Sequence, residues 1–138
     1  MYVLDTCVIT ELGQRSPNPH VIDFIESVNE DELYLSVLSL GEIRKVISQE
    51  KDLKKTAPLE RFYKQLKERF KTRTLEVDTL TMSIWGKLES LAEIAGKRKP
   101  VFQNMIGAQA IAKEFIVLSK DKTDFYDDVP VLNIWSKS

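Results

Sequence analysis

The chain has 138 residues, of which 43% are hydrophobic, and its 20 basic and 21 acidic residues leave a formal net charge of -1. This length and hydrophobic content predict one domain over residues 1–138, and the near-zero charge excludes binding to nucleic acid through overall charge alone. A single cysteine, no signal-like segment and no apolar run of roughly 20 residues lead us to expect a cytoplasmic protein with no membrane partner.

Five short apolar runs are predicted to form buried parallel strands, and each is followed by a polar residue. The runs are residues 2–4, 33–35, 75–77, 115–118 and 131–132, and the residues that follow are Asp5, Ser36, Asp78, Ser119 and Asn133. Between the runs, apolar residues recur with helical spacing, as from Leu59 to Phe70, and Asn18-Pro19 is typical of a helix start. The order predicts an α/β fold with a parallel sheet.

The carboxyl ends of parallel strands are where such folds bind ligands, so the polar residues there are the candidates for chemistry. Asp5 ends the first strand, and Ser119 and Asp121 follow the fourth. Glu42 is placed by a Ser39-Leu40-Gly41-Glu42 capping box in the first helical turn after the second strand. Helix capping and turn formation explain each of these residues equally well when it is taken alone.

Carboxylates that converge at one sheet edge repel each other unless a cation lies between them. Oxygen ligands of this kind suit Mg²⁺ or Mn²⁺, which retain waters and bind one or two carboxylates together with a substrate phosphate. This chemistry is that of a nuclease. The sequence has no phosphate-binding GxxxxGK[ST] or GxGxxG motif, which argues against a nucleotide-dependent enzyme.

The segment from Arg44 to Arg73 is strongly basic, with eleven basic residues against four acidic ones and a local net charge of +7. One interpretation is that it follows an RNA backbone, with Arg44 and Lys45 nearest the acids. The alternative is an ordinary solvated helix face, because Arg61, Lys64 and Lys67 occupy the polar positions of an amphipathic helix.

The chain resembles the PIN-domain ribonuclease toxins of VapBC-type toxin-antitoxin systems, in particular their FitB-like branch. The resemblance lies in YVLDTCVITE, LYLSVLSLGEIRK, WGKL, residues 100–110 and 119–125, and VLNIW. It implies a three-layer α/β/α domain around a mostly parallel sheet of four to five strands, and an endoribonuclease that requires Mg²⁺ or Mn²⁺. It also implies a homodimer that can form a larger assembly with a VapB-type antitoxin, through which alone operator DNA is bound.

The resemblance assigns the family's acids to Asp5, Glu42 and Asp121, with Asp124 more structural. It gives Ser119 a catalytic and phosphate-binding role and makes Thr6 a neighbour of the substrate. The family's third acid falls on Gln103, or on Asn104 if the alignment shifts by one residue, and no acid lies between Glu93 and Glu114. Cys7 stands where relatives usually have asparagine.

Exchanging a carboxylate for an amide removes one negative charge from a site that must hold a dication. The amide oxygen of Gln103 remains a weak ligand, so two functions stay open. One is an RNA-cleaving toxin of reduced activity, and the other is an inactive PIN-fold module that still binds antitoxin and RNA. A receiver-like or phosphatase domain, with Lys120 as the partner of a phosphorylated aspartate, is a third class that the order of strands disfavours.

Overall fold

The computed structural model describes residues 1–136, in which six helices surround one sheet of five parallel strands. The strands are β1 (Tyr2–Leu4), β2 (Leu33–Ser36), β3 (Thr74–Leu75), β4 (Ile116–Leu118) and β5 (Val131–Leu132). The helices are α1 (Thr6–Leu12), α2 (Pro19–Ser27), α3 (Val37–Gln49), α4 (Leu53–Arg69), α5 (Thr79–Ile94) and α6 (Val101–Lys113). The strand order β3-β2-β1-β4-β5 confirms the predicted parallel α/β architecture.

Successive residues of the central strands point to opposite faces of the sheet and enter two separate cores. In β1 and β4, Leu4 and Leu118 pack with α1 to α4, whereas Val3 and Val117 pack with α5 and α6. These strands are apolar on both faces because helices cover both sides. The result is the predicted three-layer α/β/α arrangement.

The predicted start of α2 is confirmed, whereas the predicted start of α3 is not. Asn18 caps α2, and its side chain accepts hydrogen bonds from the backbone amides of His20 and Val21, as predicted. The prediction of a capping box that begins at Ser39 is wrong, because α3 begins earlier, at Val37, with Ser36 as its N-cap. Glu42 therefore lies in the second turn of α3, and both serines fit a cap by sequence alone.

Helix α6 packs closely on the segment after β4. A Cβ added at Gly107 would lie 2.7 Å from Cγ2 of Val129, so only glycine fits that contact. At the start of the helix, the Asn104 side chain is fully buried and makes three hydrogen bonds of 2.8 Å. It donates to the carbonyls of Pro100 and Asp124 and accepts from the amide of Tyr126. Asn104 thus fastens α6 to the loop that follows β4.

Within residues 1–136, no helix is both long and apolar enough to cross a bilayer.

Candidate active site

The candidate site lies between β1 and β4, where the connections leave the sheet in opposite directions. Asp5 extends β1 through a backbone bond to Leu118, and Ser119 extends β4 in the same way toward Leu132. Their side chains meet here, since Ser119 Oγ donates to Asp5 Oδ2 at 2.8 Å. Both residues are almost completely buried. The predicted convergence of these two positions is therefore present in the structure.

Asp5 is a buried carboxylate that also caps a helix. Its Oδ1 accepts a hydrogen bond of 2.8 Å from the amide of Thr6 and so caps α1, as its position predicted. Burial, and to a lesser degree the negative charge of Glu42, raises the pKa of Asp5, while the bonds from Ser119 and Thr6 oppose that rise. The pKa is raised mainly because the buried carboxylate is poorly hydrated.

Thr6 connects Asp5 to the second acid. Its Oγ1 donates to Glu42 Oε1 at 2.7 Å and lies 2.8 Å from Ser39 Oγ. Glu42 thus faces the same space as Asp5 although it is one helical turn later than expected. The role of Ser39 was missed because its sequence context suggested a cap, whereas Ser39 is a buried support inside α3.

Cys7 also contacts this cluster. Its Sγ lies 3.7 Å from Asp5 Oδ2 and 3.6 Å from Ser119 Oγ, and burial raises the pKa of the thiol. An S–H group is a weak donor, so it gives Asp5 less support than the amide of an asparagine would.

Asp121 lies at the margin of the cluster, and Gln103 lies at the start of α6. The backbone amide of Asp121 donates to Ser119 Oγ at 3.1 Å, and its carboxylate is near enough to Cys7 to oppose ionisation of the thiol. Gln103 lies in the first turn of α6 and is half-buried. The Asn104 side chain is committed to a structural role, because all three of its hydrogen bonds join backbone groups.

Within residues 1–136, no three histidine, cysteine, aspartate or glutamate side chains lie close enough together to hold a metal ion. The carboxylates that interact directly are Asp5 and Glu42. Two neighbouring carboxylates still suit Mg²⁺, which usually keeps several waters and completes its shell with substrate phosphate. The donor set therefore fits a weakly held, hydrated dication better than a closed metal cage.

Arg44 and Lys45, the predicted substrate contacts, differ in their surroundings. Arg44 forms an ion pair with Glu60 of α4 and lies over the ring of Tyr63. Lys45 lies beside Glu42 on the wall of a groove of about 950 Å³. The guanidinium of Arg44 is thus already occupied, and Lys45 is the cation that faces open space.

This groove, which sequence reasoning did not predict, runs between α1, α3, α4 and the start of α6. Thr6 and Glu42 contribute polar groups, and the rest of the lining is mainly apolar, including Leu59, Phe62 and Phe102. Phe102 is 44% exposed on the wall of the groove, and the sequence alone does not reveal this exposure. An apolar groove that reaches the acids suits an extended peptide.

The PIN domain family model matches residues 2–130, and the chain belongs to this family. It is similar to the plasmid stability protein StbB of Pseudomonas syringae, with 32% identity over 137 residues that cover 98% of this chain and 99% of StbB. It is also 30% identical to Toxin FitB of Neisseria gonorrhoeae, again over 98% and 99% of the two chains. A VapC ribonuclease, Y4jK of Sinorhizobium fredii, is 27% identical over 98% of each chain. The resemblance inferred from the sequence motifs is confirmed.

Two solved structures of the Neisseria protein have the same fold. The crystal structure of FitAcB has a TM-score of 0.90 at 30% identity and covers 98% of this chain and 99% of that chain. The structure of FitAB bound to the IR36 DNA fragment has a TM-score of 0.89 at 28% identity, with 100% and 98% covered.

Proposed function

We propose that this chain is the toxin of a type II toxin-antitoxin system and a metal-dependent endoribonuclease that cleaves RNA phosphodiester bonds. The observation that supports this most is the bonded set Ser119, Asp5, Thr6 and Glu42 at the switch point of a PIN-domain sheet. Relatives named as a toxin and as a VapC ribonuclease support the same activity.

The proposed cofactor is Mg²⁺ or Mn²⁺, which Asp5, Glu42 and Asp121 would hold, with Gln103 at the position of the third acid. When bound, the ion would polarise a phosphoryl oxygen and lower the pKa of a water. The burial of Asp5 beside the negative charge of Glu42 supports this assignment, because a dication would stabilise both carboxylates.

The chain's own residues position these groups. Ser119 donates to Asp5 Oδ2 and thereby fixes the orientation of the carboxylate. Thr6 holds Glu42 in a fixed rotamer through a bond of 2.7 Å. The Lys45 ammonium beside Glu42 is suited to contact a phosphate, whereas Arg44 would first have to leave Glu60.

The alternative function is an inactive PIN module, and a specific observation favours it. Helix α6 has no acid in its first turn, and Gln103 cannot supply the charge of a third carboxylate. The loss of a charged ligand should weaken metal binding by about 10- to 100-fold, by analogy with disturbed outer-shell partners.

The discriminating experiment compares this chain with its Gln103→Asp variant in two assays. The first is Mn²⁺ binding by isothermal titration calorimetry, and the second is cleavage of structured RNA with and without EDTA. We expect the variant to bind metal about 10- to 100-fold more tightly and to cleave faster. Cleavage by the variant alone would identify this chain as an inactive module. Equal metal affinity of both proteins would refute the assignment of Gln103, and no cleavage by either would refute the nuclease function.

A VapB-type antitoxin is the proposed partner, and the groove beside Glu42 is its proposed docking site. Its apolar lining suits an extended segment of the antitoxin, and Glu42 at the polar part of the groove suits a cationic side chain of that segment. Operator DNA would be bound only through the antitoxin, and the structure of FitAB bound to a DNA fragment supports a DNA-binding assembly. Phe62→Asp should abolish co-purification with a VapB-type antitoxin that binds the unmodified chain, whereas Lys64→Asp on the same helix should not.

The chain is also proposed to form a homodimer and a larger assembly with the antitoxin. The support is the exposed apolar side chains of α5, since Leu91 and Ile94 are 62% and 82% exposed. Ile94→Lys should convert a dimer to a monomer in size-exclusion chromatography with light scattering. An unchanged mass would place the dimer interface elsewhere.

A further inference from the structure

A second basic surface lies at the carboxyl edge of the sheet, apart from the Arg44 to Arg73 segment. It consists of four lysines, which we call the basic rim: Lys97, Lys99, Lys120 and Lys122. We infer that the basic rim, and not helix α4, binds the phosphate backbone of the RNA. This inference rests on the proposed ribonuclease function and states where the substrate lies.

The two halves of the basic rim are joined although they are more than 20 residues apart in sequence. Lys99 Nζ donates to the carbonyl of Thr123 at 2.6 Å. Beside it, Asn104 Nδ2 donates to the carbonyl of Asp124 at 2.8 Å. The loop before α6 and the segment after β4 therefore form one continuous surface, with Lys99 and Lys122 next to each other.

The charges of the basic rim are available to a ligand. Within residues 1–136, every ion pair uses an arginine and none uses a lysine. Arg98, which lies between the two rim lysines of its loop, is paired with Glu93 and Glu89 and is therefore left out of the rim. Lys97, Lys120 and Lys122 are exposed, so their ammonium groups are in reach of a phosphate.

The basic rim adjoins the proposed catalytic residues. Lys120 directly follows Ser119, and Lys122 directly follows Asp121, so both cations are within one or two residues of the site. The Lys120 ammonium lies 5.8 Å from the ring centroid of Trp135, which limits the freedom of its side chain. A phosphate bound by Lys120 would place the adjoining phosphodiester near Asp5.

The arginines of the Arg44 to Arg73 segment offer less to a substrate than the composition of that segment suggested. Arg44 is paired with Glu60, and both Arg69 and Arg73 bind Glu30. Glu30 precedes β2 and therefore lies at the amino ends of the strands, opposite to the candidate site. Three of the four arginines in the Arg44 to Arg73 segment are thus used within the protein.

The test measures RNA affinity for two variants that each lose three positive charges. The rim variant carries Lys97→Gln, Lys120→Gln and Lys122→Gln, and the control carries Lys54→Gln, Lys55→Gln and Lys64→Gln on α4. The control lysines are also exposed. The probe is a fluorescein-labelled RNA hairpin, and fluorescence anisotropy is recorded in EDTA over a series of NaCl concentrations. Thermal melting of each variant verifies the fold, and Lys97→Gln alone provides a second, milder rim variant.

We expect the rim variant to bind the hairpin at least about 10-fold more weakly than the unmodified chain. The slope of log affinity against log salt should fall by about 2, since each lost contact to a single strand contributes roughly 0.7. Lys97→Gln alone should lower the slope by about a third of that amount, and the α4 control should bind within about twofold of the unmodified chain.

An equal loss in both triple variants, or a larger loss in the α4 variant, would overturn the inference while leaving the ribonuclease proposal intact. Absence of RNA binding by the unmodified chain would overturn it as well. The ribonuclease proposal is judged separately, by RNA cleavage in the Gln103→Asp variant.

Discussion

Asn104 and Gln103 are adjacent amides at the start of α6, and replacing each by aspartate should have opposite consequences. In Asn104→Asp, the side chain can no longer donate to the carbonyls of Pro100 and Asp124. The carbonyl of Pro100 keeps its bond from the Asn104 backbone amide, whereas the carbonyl of Asp124 loses the side-chain donor described here. A buried negative charge beside two carbonyl oxygens adds a further penalty.

The magnitude follows from these contacts. An unsatisfied buried carbonyl costs about 1–3 kcal/mol, and the lost second bond together with the buried charge brings the total to about 3–5 kcal/mol. For a domain of this size the melting temperature should fall by about 10–20 °C. Gln103→Asp makes the same chemical change on a half-buried side chain at a helix N-terminus, where a carboxylate stabilises by about 0.3–1 kcal/mol.

The assay is urea and thermal unfolding of both variants at neutral pH, followed by circular dichroism. Gln103→Asp is the matched control because the charge change is identical and only one residue separates the two positions. The reasoning is refuted if the two variants have equal stability, or if Asn104→Asp folds normally and gains RNA cleavage. That second result would move the third-acid position to Asn104.

Two further predictions concern packing and charge. Gly107→Ala should lower the free energy of unfolding by about 1–3 kcal/mol, since the new methyl group overlaps a side chain at 2.7 Å. Gly86→Ala in α5, where nothing lies within 4 Å, should raise it by about 0.5–1 kcal/mol. Equal effects in urea denaturation would contradict this packing argument. Arg73→Gln should cost about 2–3 kcal/mol, because its guanidinium is only 13% exposed and donates to two backbone carbonyls at 2.5 and 2.6 Å. Arg44→Gln on the exposed surface should leave the urea midpoint nearly unchanged, and a comparable shift for both variants would show that burial does not distinguish them.

The architecture was predictable because its signals are local. Apolar runs followed by Asp5 and Ser119 define strands and their carboxyl ends, and a parallel sheet necessarily brings such ends to one edge. The start of α3 was not predictable in the same way, since Ser36 and Ser39 both have the sequence context of an N-cap. In the folded chain Ser36 is the N-cap of α3, so Glu42 lies one helical turn later than the sequence predicted.

Other features of the site depend on contacts between distant segments. The bond from Lys99 to Thr123 requires a particular path of two loops, and no periodic pattern in the sequence encodes it. The pairing of Arg69 and Arg73 with Glu30 is similarly distant, so the charge of the Arg44 to Arg73 segment looked more available than it is. Composition measures how much charge a segment carries, and only the fold determines how much of it is left for a ligand.

The three hydrogen bonds by which Asn104 fastens α6 to the loop after β4, which we call the clamp, bear on how a toxin of this kind can change during evolution. The amide that holds α6 in place lies one position after Gln103, so the residue that would complete the metal site carries none of the clamp's hydrogen bonds. Under the proposed function, a substitution at 103 alone would weaken or restore catalysis, while the hydrogen bonds of Asn104 would keep α6 in place together with the surfaces proposed for antitoxin and RNA. Such a lineage would pass between an active nuclease and an inactive competitor for the same partners without an unfolded intermediate.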